Sequence, residues 1–146
     1  MTTTASRSLA EYTQLEYLLL GDLREFLDEP LDDDETRRWL TAVVDELLET
    51  LQCEFRLQEA DGYMTEVLEI CPNWSGQVDR LRSEHDTLYS RLRQLRYRLL
   101  EALPLTEVAE RLRHQLRDWM TTFTAHRRHE TRLLQSAFNL DFGVGD

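Results

Sequence analysis

The sequence predicts an all-α chain folded as an antiparallel, up-down four-helix bundle. Three observations lead there. Apolar residues recur at steps of three and four along most of the chain, the helical period rather than the strand period. No alternating apolar–polar run bounded by turn residues suggests a half-buried strand. The five glycines and three prolines are few for 146 residues, and most sit between apolar-periodic runs rather than within them.

Four elements follow in order. The first helix is expected from about Ser8 to Asp28, with Leu9, Tyr12, Leu15, Leu19, Leu23 and Phe26 on one face. Ser8 suits an N-cap, and Glu11 three residues on completes a capping box. Pro30 and the run Asp32-Asp33-Asp34 end that segment, and Asp34 is a suitable N-cap for the second helix. The second helix is expected to run to about Ile70, with Leu40, Val43 or Val44, Leu47 and Leu51 as its stripe. Asp61-Gly62 falls inside it without an obvious stop signal. Cys71-Pro72-Asn73 precedes a third helix, which starts near Ser75 and carries Val78, Leu81, Leu88, Leu92, Leu95 and Leu99. Leu103 precedes Pro104, which sits at a natural N1 position for the fourth helix. That helix carries Val108, Leu112, Leu116, Trp119, Phe123, Leu133 and Ala137. Short connections between amphipathic helices favour antiparallel neighbours. Residues 1–146 are expected to form one domain, with 1–7 and 139–146 as flexible tails.

Composition narrows the function. Lysine and arginine together number 17 against 28 acidic residues, a net charge of −11, and every one of the 17 is arginine. Phosphate neutralisation supplies much of nucleic-acid affinity, so no nucleic-acid partner is expected. Anionic membrane surfaces would repel the chain. Uninterrupted apolar runs such as Leu18-Leu19-Leu20 fall far short of the ~20 residues that cross a bilayer. A chain without lysine has no Schiff base, no P-loop lysine and no lysine general base. Met1 to Ser8 lacks the apolar core of a secretory signal, and Cys53 and Cys71 form no disulfide framework or CxxC pair. A cytoplasmic protein with reduced thiols is the expectation.

Polar residues on the apolar stripes are the candidate site. On the fourth helix, stepping from Phe123 by three or four reaches His126 and Glu130, within His126-Arg127-Arg128-His129-Glu130. Side chains at i and i+4 share a helix face, which is how helical metal sites collect donors. His85 lies between Leu81 and Leu88 on the third helix, and Glu54 and Gln58 follow Leu51 on the second. A lone histidine on such a face is more often a hydrogen-bonded core residue. Several buried imidazoles and carboxylates together need partners, because each left unpaired costs several kcal/mol. A metal ion satisfies them all; a His–Glu hydrogen-bond network is the alternative. His114 and His129 fall off the stripe and read as solvent-facing. Arg91, Arg93, Arg96 and Arg98 alternate with leucines and read as a solvated helix face.

With these residues in place the chain resembles the hemerythrin-like (HHE cation-binding) family over nearly its whole length. The resemblance rests on four stretches: Leu51 to Tyr63, Glu84-His85-Asp86-Thr87-Leu88, His126 to Glu130, and Leu133-Leu134-Gln135 with Asp141-Phe142-Gly143. It implies a bundle around a non-haem diiron centre, with a first-helix histidine, a second-helix HxxxE pair, third-helix histidines and a fourth-helix HxxxE or HxxxxD pair. His85 matches the third-helix histidine, and His126 with Glu130 the fourth-helix pair. Glu54 and Gln58 stand where the second-helix pair belongs, and Glu59 is displaced by one residue, about 100° around the helix. The first-helix histidine would fall near Leu19 or Leu20, and a second third-helix histidine at Tyr89.

The expected protein is therefore hemerythrin-like with an eroded diiron site, not an enzyme. It would hold one iron or other divalent transition-metal ion through His85, His126, Glu130 and Glu54, for iron handling or for redox or oxygen sensing. The alternative is a metal-free helical interaction module, with no cofactor, whose partner is an unidentified protein. Either would be a monomer or a homodimer, the dimer meeting through an aromatic such as Trp39 or Trp74. A carboxylate-bridged oxidase needs two metals for most of its chemistry, which the replaced ligands disfavour.

Overall fold

The computed structural model describes residues 7–31, 33–101 and 108–143. Those residues form five helices and no strand: α1 (Leu9–Leu27), α2 (Asp34–Glu59), α3 (Thr65–Ile70), α4 (Ser75–Glu101) and α5 (Ala109–Gly143), with a 3-10 turn at Pro72–Trp74 before α4. The described residues pack as an all-helical bundle. The long helices contact one another in a ring, α1 on α2, α2 on α4, α4 on α5 and α5 on α1, while α3 packs on α5.

Local chemistry sets the helix ends. Ser8 caps α1 as expected: its backbone is extended and its Oγ accepts from the Glu11 amide at 3.2 Å. The α2 cap is Asp33, whose carboxylate accepts from the Glu35 amide at 3.0 Å; Asp34 is already the first helical residue. Arginines from other elements take the free carbonyls that end two helices. Arg37 donates to the carbonyls of Leu99 and Leu100 at 2.8 and 2.7 Å, closing α4. Arg117 donates to the Leu27 carbonyl at 3.3 Å, closing α1, and Arg113 to the Glu29 carbonyl just beyond it at 3.0 Å.

Two expected boundaries are corrected. The second helix does not run through to Ile70. It stops at Glu59, and Gly62 (φ 95°) and Met64 (φ 53°) both adopt left-handed backbone before α3 starts. The turn swings Tyr63 inward, where it is buried with Val67 and Cys71 against Val78, Leu81, Leu133 and Ala137. The stretch 139–146 is not all outside a helix: α5 continues to Gly143, its last buried residue being Ala137 among those described. Asp32, the 1–6 segment, Leu103, Pro104 and residues 144–146 lie outside the described residues, and described α5 starts at Ala109.

The predicted stripes of α2, α4 and α5 supply most of the core, whereas on α1 Leu19 and Leu23 are buried, Tyr12, Leu15 and Phe26 are partly buried and Leu9 is exposed. Leu40, Val43, Val44, Leu47 and Leu51 of α2 meet Leu19 and Leu23 of α1, Leu88 to Leu99 of α4, and Leu112, Leu116, Trp119 and Phe123 of α5. Trp119 stacks on Phe123 and donates its indole N–H to the Leu88 carbonyl at 2.8 Å, so its one polar atom is satisfied in the core. The smaller cluster around α3 lies nearer the start of α4 and farther along α5. Between the two clusters, in the register of both helices, fall His85, His126 and Glu130. Trp39 is exposed and Trp74 packs at the edge of the smaller cluster. Cys53 and Cys71 are free thiols.

The turn at Gly62 is the strained point that seats Tyr63. A Cβ there would stand 2.5 Å from Thr65 Oγ1 in a left-handed conformation, whereas a Cβ at helical Gly21 meets nothing within 4 Å. Gly62→Ala should destabilise the protein by about 1 kcal/mol or more, and Gly21→Ala should stabilise it by roughly 0.5–1 kcal/mol. Urea midpoints for the two variants check the pair.

Candidate metal centre

The site is a polar layer between two apolar ones. Glu16 comes from α1, Glu54 and Gln58 from α2, His85 from α4, and His126, Arg127 and Glu130 from α5, with Tyr63 reaching in from the turn. His85 and His126 are buried as fully as the leucines around them. Phe55 stacks on the His85 ring at 4.0 Å and 5°, Tyr63 meets it edge-on at 4.9 Å, and the two imidazoles stand 5.1 Å apart at 69°.

Each imidazole is held by a carboxylate behind it. His85 Nδ1 lies 3.1 Å from Glu59 Oε2, and His126 Nδ1 lies 2.7 Å from Glu84 Oε1. A neutral imidazole that donates through Nδ1–H presents Nε2 as a bare acceptor. Both Nε2 atoms are buried and neither has a hydrogen-bond partner. They face the two oxygens of one carboxylate, His85 Nε2 at 3.6 Å from Glu130 Oε2 and His126 Nε2 at 3.5 Å from Glu130 Oε1. With both Nδ1 atoms donating, the Nε2 acceptors point at the Glu130 acceptors, an arrangement that a proton on Nε2 or a cation between them would relieve. One ligand atom from each of His85, His126 and Glu130 lies within 4.8 Å of the others, the spread of a single ion's donors. Two imidazoles and a carboxylate suit Fe(II), Mn(II) or Zn(II). A carboxylate behind each imidazole is the usual outer support of a metal-bound histidine.

Arg127 organises the rest. Its guanidinium donates to Glu16 Oε1 at 2.7 Å, to Glu130 Oε1 at 2.6 Å and to Glu54 Oε1, and lies over the Phe123 and Phe55 rings at 5.0 and 5.6 Å. Thr13 donates to the other Glu54 oxygen at 2.9 Å, and Tyr63 donates to Glu130 Oε2. Gln58 Nε2 approaches Glu130 Oε2 at 3.4 Å.

The titration shifts follow from this crowding. Burial, the Glu16 carboxyl beside it and that neighbour's charge push Glu54 up to about 8, against the pull of Arg127. Burial also opposes ionisation of Glu130, but His85, the Arg127 charge and the Tyr63 hydroxyl overcome it and hold Glu130 down at about 2. Burial, and then the Glu130 charge, raise Tyr63, so it stays a hydrogen-bond donor. Burial lowers His126 despite its bond to Glu84. Burial works against the Arg127 charge, yet Glu16, Glu130 and Glu54 keep it firmly protonated.

Of the sequence candidates, His85, His126 and Glu130 come together. Glu54 is buried in the same layer but its oxygens go to Arg127 and Thr13. Leu19 and Leu20, where a first-helix histidine was sought, belong to the apolar core. Glu16 is the inward polar residue of α1, one turn earlier on the same stripe. Arg127 was legible only as part of the charged fourth-helix motif, although its i,i+3 spacing to Glu130 favours the pair they form. Glu59 and Glu84 sit one residue off the expected stripes and act from behind the imidazoles. His129 is half-buried beside a groove with Glu84 and His126, not fully solvent-facing; His114 is exposed. Arg96 leaves the solvated face to pair with Asp45. A pocket of about 510 Å³ under the 61–66 turn reaches Gln58, Tyr63, Arg127 and Glu130 from outside.

Comparison of the chain with protein-family models, with curated proteins and with solved structures gives no match.

Glu54 predicts a pH dependence in the chelator-stripped protein. Its folded pKa lies above the unfolded value, so its contribution is complete below about 4.5 and is lost as the pH rises towards about 8, by at most ~1.4 kcal/mol per pH unit. His126 works in the opposite sense, losing stability as the pH falls below its ordinary value. The difference in unfolding free energy between wild type and Glu54→Gln isolates the first effect. That difference should shrink from pH 4.5 to 8 and then level off; parallel profiles would count against it.

Proposed function

We propose that this chain binds one divalent transition-metal ion through His85 Nε2, His126 Nε2 and Glu130, in a hemerythrin-like antiparallel four-helix bundle whose two-metal site is reduced to one position. The observation that carries the reading is the pair of buried Nε2 atoms facing the Glu130 carboxylate without a donor. The buried acids agree with it: Glu16, Glu54 and Glu130, each at most 5% exposed, share one guanidinium, and Glu130, which stays ionised, also faces the two imidazoles.

Each surrounding residue has a part in holding that ion. Glu59 and Glu84 fix the ring orientations and keep the metal-facing nitrogens basic. Tyr63 and Arg127 bind the Glu130 oxygens and set the direction of the carboxylate. Phe55 keeps water from the His85 face. When bound, the metal supplies a Lewis-acidic and, for iron or manganese, redox-active centre that the pocket under the 61–66 turn connects to solvent. That suits iron handling or redox or oxygen sensing better than turnover, since no nucleophile–base pair accompanies the site among the described residues. The metal-free interaction module has in its favour that Arg127, Tyr63 and Thr13 already satisfy the carboxylates. It leaves both Nε2 atoms without a role.

Equilibrium dialysis of stripped protein against Fe(II) under anaerobic conditions, and against Mn(II) and Zn(II), tests the reading by elemental analysis. One equivalent is expected in the wild type and none in His126→Ala. A folded wild type that takes up no metal, or an unchanged His126→Ala, would contradict it. Glu84→Ala should keep the stoichiometry at one while weakening affinity about 10–100-fold, as loss of an outer carboxylate does.

A further inference from the structure

Arg127 occupies a second cation position. Its guanidinium is the meeting point of carboxylates from three helices: Glu16 from α1, Glu54 from α2 and Glu130 from α5. Glu130 is shared. Its Oε1 takes Arg127 at 2.6 Å and faces the unpartnered His126 Nε2 at 3.5 Å, while its Oε2 faces the unpartnered His85 Nε2 at 3.6 Å. One carboxylate thus bridges a position bounded by two bare imidazole nitrogens and a position filled by a fixed positive charge. The filled position has the ligand chemistry of a hard divalent cation, three carboxylates with the Gln58 amide oxygen at 3.4 Å from the guanidinium. Arginine is always charged, and its planar fork gives each carboxylate a hydrogen bond as well as a charge.

We infer that Arg127 determines the nuclearity of the centre, standing as a covalently attached cation where a second metal ion would otherwise bind between Glu16, Glu54 and Glu130. The inference rests on the single-metal reading above and adds the residue that enforces it. A side chain in that position makes the count of one independent of metal supply, and it gives the three buried acids a charged hydrogen-bond donor whether or not the neighbouring position is loaded.

Dialysis of stripped protein against Zn(II) and, separately, Mn(II) reads the stoichiometry of four proteins: wild type, Arg127→Ala, Arg127→Lys and Arg127→Ala with Glu54→Gln. The expected equivalents are one, two, one and one, because lysine restores the charge and the double variant lacks a ligand of the opened position. Arg127→Gln, which keeps more of the side-chain volume, replaces Arg127→Ala in the series if the alanine variant does not fold, with the same expectation of two. One equivalent in both Arg127→Ala and Arg127→Gln would overturn the inference while leaving the single-metal reading intact. Two equivalents in the wild type would overturn the inference, since Arg127 would then block nothing. No metal in the wild type would overturn both.

Discussion

Buried negative charge in the middle of a helical bundle has to be compensated where it sits. Three carboxylates from three different helices converge between two apolar layers, with leucine, tryptophan and phenylalanine above and a small cluster around α3 below. Water screens them only from the side of the pocket under the 61–66 turn. Positive charge must be supplied by the protein or by a ligand, and much of the local structure serves that need. Arg127 lies flat against Phe55 and Phe123 so that its fork reaches all three acids. Tyr63 is swung inward by two left-handed residues to put a hydroxyl on Glu130. The guanidinium serves all three acids, burial pushes Glu54 up to about 8, and the two imidazole Nε2 atoms beside Glu130 have no hydrogen-bond partner.

The same constraint ties the fold to the site. A buried ion pair adds little stability compared with a well-packed apolar core, but removing one partner from it is strongly destabilising, because the other charge is left behind. The polar layer therefore fixes the register of α1, α2, α4 and α5 against one another more than it strengthens their packing.

Much of this was legible in the sequence, and what was missed was missed for physical reasons. The 3.6-residue period placed Leu40 to Leu51, Leu81 to Leu99 and Leu112 to Phe123 in the core, and the same period carried His85, His126, Glu54 and Glu130 inward with them. Period alone does not say what an inward side chain touches. Glu54 read as a ligand and instead binds Arg127 and Thr13, a choice made by a residue on another helix. Arg127 itself is long enough to reach the interior from the edge of its stripe, so its position on the helix wheel gave no warning. Glu59 and Glu84 lie beside the stripe and support the imidazoles from behind, which only the assembled bundle reveals. The break after Glu59 depends on Gly62 and Met64 both turning left-handed, and the Met64 half of that has no signature in residue type.

The most direct test of a single cation beside a fixed arginine is an anomalous difference map from crystals of the Zn(II)-loaded protein, collected at the metal edge. The account predicts one strong peak in this layer, about 2.0–2.1 Å from Nε2 of both His85 and His126 and bonded to Glu130. It also predicts that the Arg127 guanidinium stays on Glu16 and Glu54 in that crystal. No peak between those nitrogens, with water or protons satisfying them instead, would contradict it.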